Sequence, residues 1–134
     1  MIDDKYKYSE LTSIIIGCSM KLHSALGNGF LELIYQRSLS IEMETAGLKF
    51  QREYEMPVYY NKQLVGTRRV DFIVDNIVSL ELKALTKLEG VHPAQAINYL
   101  EAYDLELGLL INFEAKSSEF KRIINCKFKQ KKSK

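Results

Sequence analysis

The chain has 134 residues, of which 46% are hydrophobic and 27% charged, and it contains only two prolines. This composition is typical of an ordinary globular domain with its own core, and it excludes collagen-like, low-complexity and largely disordered proteins. No apolar segment approaches the ~20 residues of a membrane span, and residues 1–5 lack the basic start and apolar run of a signal peptide, so we predict a cytoplasmic protein.

The charge is unevenly distributed along the chain. The formal net charge is +2, but five lysines lie within residues 127–134, so residues 1–126 carry a net charge of −3. We therefore predict one domain over residues 1–126, followed by a basic C-terminal tail over residues 127–134. Such a tail is either a solvated terminus or a source of sequence-independent affinity for phosphate.

Two helices are predicted before the first strand. Apolar residues at helical spacing predict a first helix with Ser9 as its N-cap and Gly27 as its stop. A second helix is predicted to open at Gly29 and to run to about Ala46. Glu32 falls in its first turn, where an acidic side chain has an ordinary explanation, because it stabilises the positive end of the helix dipole by ~0.3–1 kcal/mol.

Two long strands are predicted next. Residues 48–60 form the first, a polar turn comes at residues 61–63, and residues 64–74 form the second. Pro57 removes a backbone donor. We therefore predict that the first strand lies at a sheet edge or is bulged near this residue.

The C-terminal half predicts one more helix and two more strands. The helix begins at His92-Pro93 and reaches about Tyr103. A continuous apolar run at residues 107–113 predicts a strand covered on both faces, and residues 120–128 predict the last strand. The order helix, helix, three antiparallel strands, helix, strand, strand predicts an α/β fold with a mixed β-sheet flanked by helices.

Isolated charges stand in the apolar hairpin at residues 70–84. Asp71 lies between two apolar residues, and Glu81 and Lys83 share one face of the following strand. Burying a lone carboxylate costs several kcal/mol, so these charges must be paired, solvated in a cleft or bound to a cation. Two interpretations stay open: an ion pair of Lys83 with Glu81 or Asp71, or a site for a hard cation such as magnesium.

The hairpin turn decides whether Asp71 and Glu81 can share a face. A two-residue turn at Asp75-Asn76 would place them on opposite faces of the sheet. For a shared site we therefore predict a three-residue loop with Asn76 or a neighbour in the left-handed conformation, or a bulge that restores the parity.

Seven segments of the chain, in this order, match a known family. They are Gly29-Phe30-Leu31-Glu32-Leu33-Ile34-Tyr35, Tyr59-Tyr60, Arg69-Val70-Asp71, Glu81-Leu82-Lys83-Ala84, Gln95 with Tyr99-Leu100, Gly108-Leu109-Leu110-Ile111-Asn112-Phe113 and Lys121-Arg122. Together they span most of the chain and resemble the GxxExxY family, a branch of the PD-(D/E)XK nuclease superfamily. Asn28 stands where the glycine turn of that family often has a proline, and no proline-aspartate pair precedes the strand carboxylate.

The resemblance implies a restriction-endonuclease-like, PD-(D/E)XK core with a metal site. Asp71, Glu81 and the Leu82 carbonyl would hold Mg²⁺, with Mn²⁺ as a substitute. Glu32 would add a carboxylate from the helix, and Lys83 would orient the attacking water or stabilise the phosphate.

The resemblance also implies contacts from the third helix. Gln95 would reach toward the active site or the substrate, and Tyr99 would support it. Arg68 and Arg69 precede the strand carboxylate and could either balance its charge or meet a phosphate, so Arg69 is a further candidate for substrate binding.

We therefore predict a metal-dependent nuclease that hydrolyses phosphodiester bonds in nucleic acid, with DNA as the expected substrate. The chemistry agrees, because this hydrolysis needs a Lewis acid for the developing oxygen charge and a water made more acidic by the metal. The alternative is a non-catalytic nucleic-acid-binding or regulatory module that keeps the nuclease fold. The sequence predicts no membrane partner and leaves open whether a homodimer forms.

Overall fold

A computed structural model describes residues 8–85, 91–103, 105–114 and 119–125. The helices and strands are α1 (Ser9–Leu26), α2 (Glu32–Thr45), β1 (Phe50–Tyr60), β2 (Gln63–Val74), β3 (Val78–Lys83), α3 (Val91–Tyr103), β4 (Leu107–Asn112) and β5 (Glu119–Ile124). The strands form one sheet in the order β1-β2-β3-β4-β5, in which β3 and β4 are parallel and the other neighbours antiparallel. The predicted mixed sheet is confirmed, and the predicted basic tail lies outside the described residues.

Helices cover both faces of the sheet. On one face, Ile15 of α1 and Leu39 of α2 share a core with Leu109 of β4. On the other face, Leu100 of α3 shares a core with Leu110 of β4. Successive strand residues point to opposite faces, so these adjacent leucines serve the two cores. This explains why β4 is buried along its whole length, as its continuous apolar sequence predicted.

The turn between β2 and β3 has the predicted three residues. Val74 pairs with Val78, and the intervening loop holds Asp75 and Asn76 in the left-handed region, with φ of 54° and 56°. The last pair of the ladder is Phe72 with Leu80, so Asp71 and Glu81 are the next residues along the two strands and have the same parity. The two carboxylates therefore belong to the same stretch of the sheet.

Pro57 lies where a missing backbone donor is tolerated. β1 is the first strand of the sheet and has a neighbour on one side only. Its pairing with β2 also shifts register between Val58 and Tyr59. Both features predicted from Pro57, an edge position and an irregularity beside it, are confirmed.

The helix starts differ from the predicted ones. The N-cap of α1 is Tyr8 and not Ser9, because the backbone N–H of Thr12 bonds to the Tyr8 carbonyl at 3.0 Å. α2 begins at Glu32, three residues after the predicted Gly29, because Gly29 has a φ of 99° that no helix contains. None of the helices within the described ranges is long and apolar enough to span a membrane.

Candidate active site

The candidate residues gather where β2 and β3 diverge. Pairing between these strands ends at Phe72 and Leu80, so Leu82 and Ala84 have no ladder partner in β2. A buried backbone N–H without a partner costs free energy comparable to a lost hydrogen bond. Two carboxylates supply the acceptors that β2 does not. We call this place, residues 71–72 with residues 80–84, the β2–β3 fork.

Asp71 accepts two hydrogen bonds at the fork. Its Oδ2 accepts the backbone N–H of Leu82 at 2.8 Å. Its Oδ1 accepts the side-chain Nε2 of Gln36, which comes from α2, also at 2.8 Å. Both oxygens of this half-buried carboxylate are therefore held by N–H donors, which fixes its position against β3.

Glu32 binds the backbone two residues further along the chain than Asp71 does. It is the first residue of α2, and its Oε2 accepts the backbone N–H of Ala84 at 3.3 Å. Alternate residues of a strand are about 6.6 Å apart, so Leu82 and Ala84 hold the two carboxylates about that far apart along β3. The two N–H groups that Asp71 and Glu32 accept therefore lie on either side of Lys83.

Glu81 has a cationic partner that the sequence did not single out for it. Arg68 Nη2 lies 3.4 Å from Glu81 Oε2, and the Glu81 side chain is only 12% exposed. The Arg68 side chain is 36% exposed, so solvent screens this pair in part. Arg68 of β2 therefore balances part of the negative charge of the Glu81 carboxylate.

Lys83 lies at the end of β3 and is half-buried. Its carbonyl accepts the backbone N–H of Phe113 at 2.9 Å, which ties this part of β3 to the segment after β4. Within the described part of the chain, Lys83 forms neither of the ion pairs considered from the sequence, with Glu81 or with Asp71. Its ammonium group therefore has a donor capacity that the described protein groups do not use.

Tyr35 builds the loop that delivers Glu32 to the fork. Its hydroxyl donates to the Gly27 carbonyl at 2.7 Å and accepts the Phe30 N–H at 3.3 Å. Its fully buried ring stacks on Phe113, with ring centroids 4.5 Å apart. The spacing of glycine, glutamate and tyrosine therefore has a local cause: a left-handed turn, a carboxylate at the helix start, and an aromatic clamp one turn later.

We expect Tyr35→Phe to lower the melting temperature and to loosen the loop before Glu32, without leaving a cavity in the core. The ring stack remains, but two hydrogen bonds to a partly exposed loop are lost, which costs about 0.5–1.5 kcal/mol each at most. Thermal melting checks this against Tyr60→Phe, the same change at a tyrosine that is 75% exposed. Equal melting temperatures for the two variants would show that the hydroxyl does not hold the loop.

Asn112 holds the chain just after Lys83 and Ala84. It is fully buried, its Oδ1 accepts the Leu85 N–H at 2.9 Å, and its Nδ2 donates to the Leu85 carbonyl at 2.9 Å. Nδ2 also donates to Glu119 Oε1 at 2.8 Å. The end of β4 therefore fixes the direction in which the chain leaves the fork.

The profile of the PD-(D/E)XK nuclease superfamily matches residues 9–123 of this chain. The chain belongs to this superfamily. A crystal structure of SSO0001 resembles it with a TM-score of 0.55 and 20% sequence identity, over 90% of this chain. The chain covers 60% of the SSO0001 chain, and at this identity the likeness shows the fold alone. No curated protein sequence matches the chain.

Three predicted residues are not among those that define the fork. Gln95 is an exposed residue of α3, and it makes no hydrogen bond with the described residues. Tyr99 belongs to the same helix, but its side chain lies outside the described part of the chain. Arg69 is exposed on β2 and stands opposite Glu55 in the ladder. Their contribution to a PD-(D/E)XK site stays a prediction.

Nucleases of this superfamily usually use a divalent metal, so the residues at the fork can be tested for their fit to one. In the described ranges, no group of three or more His, Cys, Asp or Glu side chains is close enough to hold an ion. The donor set is nonetheless of the right chemistry, because Asp71 and Glu32 present carboxylate oxygens along one strand. Next to Asp71, the buried Oε1 of Gln36 has no hydrogen-bond partner among the described residues. The chemistry of these donors therefore suits a hard cation with oxygen ligands.

Two residues of the site were given no role from the sequence. Gln36 follows Glu32 by four residues, which places both side chains on one face of a helix, so the spacing could have marked it. Asn112 ends a buried apolar strand, where a polar side chain must find partners, and this was a signal as well. In both cases the partner itself comes from a distant part of the chain.

Proposed function

We propose that this protein is a metal-dependent nuclease of the GxxExxY branch that hydrolyses phosphodiester bonds in DNA. The observation that carries the proposal is the arrangement on β3, where Asp71 and Glu32 bind the N–H groups on either side of Lys83. A charge cluster of this kind is a candidate site, because the Lys83 ammonium forms no ion pair within the described residues.

The proposed cation ligands are carboxylate and carbonyl oxygens of the fork. Asp71 and Glu81 would hold Mg²⁺ or Mn²⁺ together with the Leu82 carbonyl, and Glu32 would complete the set from α2. Arg68 contacts Oε2 of Glu81, so Oε1 is the atom we assign to the cation. When bound, the metal supplies positive charge for the developing oxygen charge and makes a water more acidic.

The other side chains act on the substrate. The Lys83 ammonium donates hydrogen bonds to a phosphate oxygen or holds the attacking water, and as an ammonium it cannot ligate the metal. Exposed Arg69 offers charge to a neighbouring phosphate. Gln95 and Tyr99 would approach the substrate from α3. We also propose that residues 1–126 form the nuclease domain and that the tail at residues 127–134 adds affinity for phosphate.

One observation favours a non-catalytic alternative. The guanidinium group of Arg68 pairs with the Glu81 carboxylate. Such a pair would balance the charge of a carboxylate that no longer binds metal. In that case the chain would be a nucleic-acid-binding or regulatory module that keeps the superfamily fold.

A cleavage assay separates the two functions. Linear and circular DNA, single- and double-stranded, and RNA are each incubated with the protein in Mg²⁺, in Mn²⁺ or in EDTA. We expect cleavage of DNA with either metal and none in EDTA. Lys83→Ala prepared in parallel excludes a contaminating nuclease. Binding of DNA without cleavage under every metal condition would instead support the non-catalytic module.

A further inference from the structure

A buried amide stands beside the proposed cation ligands. Gln36 lies one helical turn after Glu32 on α2 and is only 5% exposed. Its Nε2 donates to Asp71 Oδ1 at 2.8 Å. An ionised carboxylate only accepts hydrogen bonds, so this contact sets which way the amide faces.

The other heteroatom of that amide has no partner in the described part of the chain. Gln36 Oε1 is buried and makes no hydrogen bond with the described residues. Because Nε2 and Oε1 are bonded to the same carbon, Oε1 lies within about 5 Å of Asp71 Oδ1. Leaving a buried acceptor without a partner lowers the stability of the folded state, so such an atom needs an explanation.

We propose that Gln36 is the positioning residue of the cation site: its N–H group orients Asp71, and its Oε1 contacts the cation or one of the ion's waters. The inference rests on the proposed function, because it needs a cation at Asp71. Magnesium takes oxygen ligands and keeps several waters that donate hydrogen bonds. Either contact satisfies Oε1, and hydrogen bonds to a ligating carboxylate raise the affinity of a metal site.

A purely structural Gln36 has a different signature. Its replacement by an apolar side chain of similar length would remove one hydrogen bond to Asp71 and also the unsatisfied oxygen. The stability of the metal-free protein would change in either direction. The affinity for the metal would not change, because no atom of Gln36 would act on the ion.

The test uses Gln36→Met, an unbranched residue of similar length. Melting temperatures of the full chain are measured in EDTA and across a titration with magnesium chloride alone. We expect the Mg²⁺ Kd of Gln36→Met to be about 10–100-fold weaker than that of the wild type. A tenfold weaker Kd removes about 1.4 kcal/mol of stabilisation at a high fixed metal concentration. Gln51→Met, the same change at an exposed residue of β1, should leave the Kd unaltered.

The outcomes separate the inference from the proposed function. A wild-type protein whose melting temperature does not respond to Mg²⁺ overturns both. A wild-type response that Gln36→Met reproduces in full overturns the inference alone.

Gln36→Glu keeps the test decisive if the methionine variant does not fold. A second carboxylate against Asp71 should lower the melting temperature in EDTA by like-charge repulsion and enlarge the rise caused by Mg²⁺. A Mg²⁺ response equal to that of the wild type would overturn the inference here too.

Discussion

We expect Lys83→Ala to lower the rate of DNA cleavage by about 10²–10³-fold, the usual effect of removing a group that stabilises charge in the transition state. Its Mg²⁺ affinity should stay that of the wild type, because an ammonium group donates hydrogen bonds and cannot ligate a cation. The fold should also persist. Lys83 is half-buried and forms no ion pair in the described part of the chain, so its truncation leaves no described partner unpaired.

The measurement is single-turnover cleavage at saturating enzyme, with Mg²⁺-dependent melting of the same preparation. Lys49→Ala is the matched control, because it removes the same charge from an exposed position before β1. Lys83→Arg keeps the charge but changes its geometry, and it should recover part of the rate only if charge alone suffices. A folded Lys83→Ala protein that cleaves at the wild-type rate would remove Lys83 from the site.

Much of the local structure could be predicted because it depends on neighbours in the sequence. The parity of two strands that share a face required an odd loop, and the structure has one at residues 75–77. Pro57 required an edge or an irregularity, and β1 has both. An unbroken apolar run required burial on both faces, and β4 has it. Each of these follows from covalent geometry and strand alternation.

The contacts that complete the site could not be predicted in this way. Gln36 and Asp71 are 35 residues apart and meet only because α2 packs over the diverging strands. Arg68 reaches Glu81 from the next strand, although the sequence equally allowed pairing with Asp71. The start of α2 at Glu32 depends on the backbone conformation of Gly29. A glycine in the sequence shows that many φ angles are allowed, but not which one is adopted. Tertiary packing decides all three.

We expect Asp71→Asn to destabilise the metal-free protein, whereas Glu81→Gln does so much less. Both oxygens of Asp71 accept hydrogen bonds from N–H donors, Leu82 N–H and Gln36 Nε2. Asparagine turns one acceptor into a second donor, and a buried donor left unsatisfied costs about 1–3 kcal/mol. In a chain of this length that lowers the melting temperature in EDTA by about 4 °C for each kcal/mol.

Among the described residues, Glu81 does not accept hydrogen bonds on both of its oxygens as Asp71 does. Its described partner is Arg68, which is 36% exposed, and a glutamine still offers an oxygen at the same place. Loss of a partly exposed pair costs about 0.2–1 kcal/mol, so the melting temperature of Glu81→Gln in EDTA should fall by only about 4 °C or less. As proposed ligands, however, both residues should be needed for the rise in melting temperature that Mg²⁺ produces by binding the folded state.

Melting curves of the wild type and the two variants, in EDTA and in excess Mg²⁺, separate the structural and the metal-binding function of each carboxylate. If Asp71→Asn and the wild type have the same melting temperature in EDTA, the hydrogen bond from the Leu82 N–H to Asp71 does not stabilise the fold. If Asp71→Asn is destabilised yet keeps the full Mg²⁺ response, Asp71 is structural only. The corresponding result for Glu81→Gln, an unchanged Mg²⁺ response, would leave Glu81 as the partner of Arg68 and place the cation, if any binds, on Asp71 and Glu32.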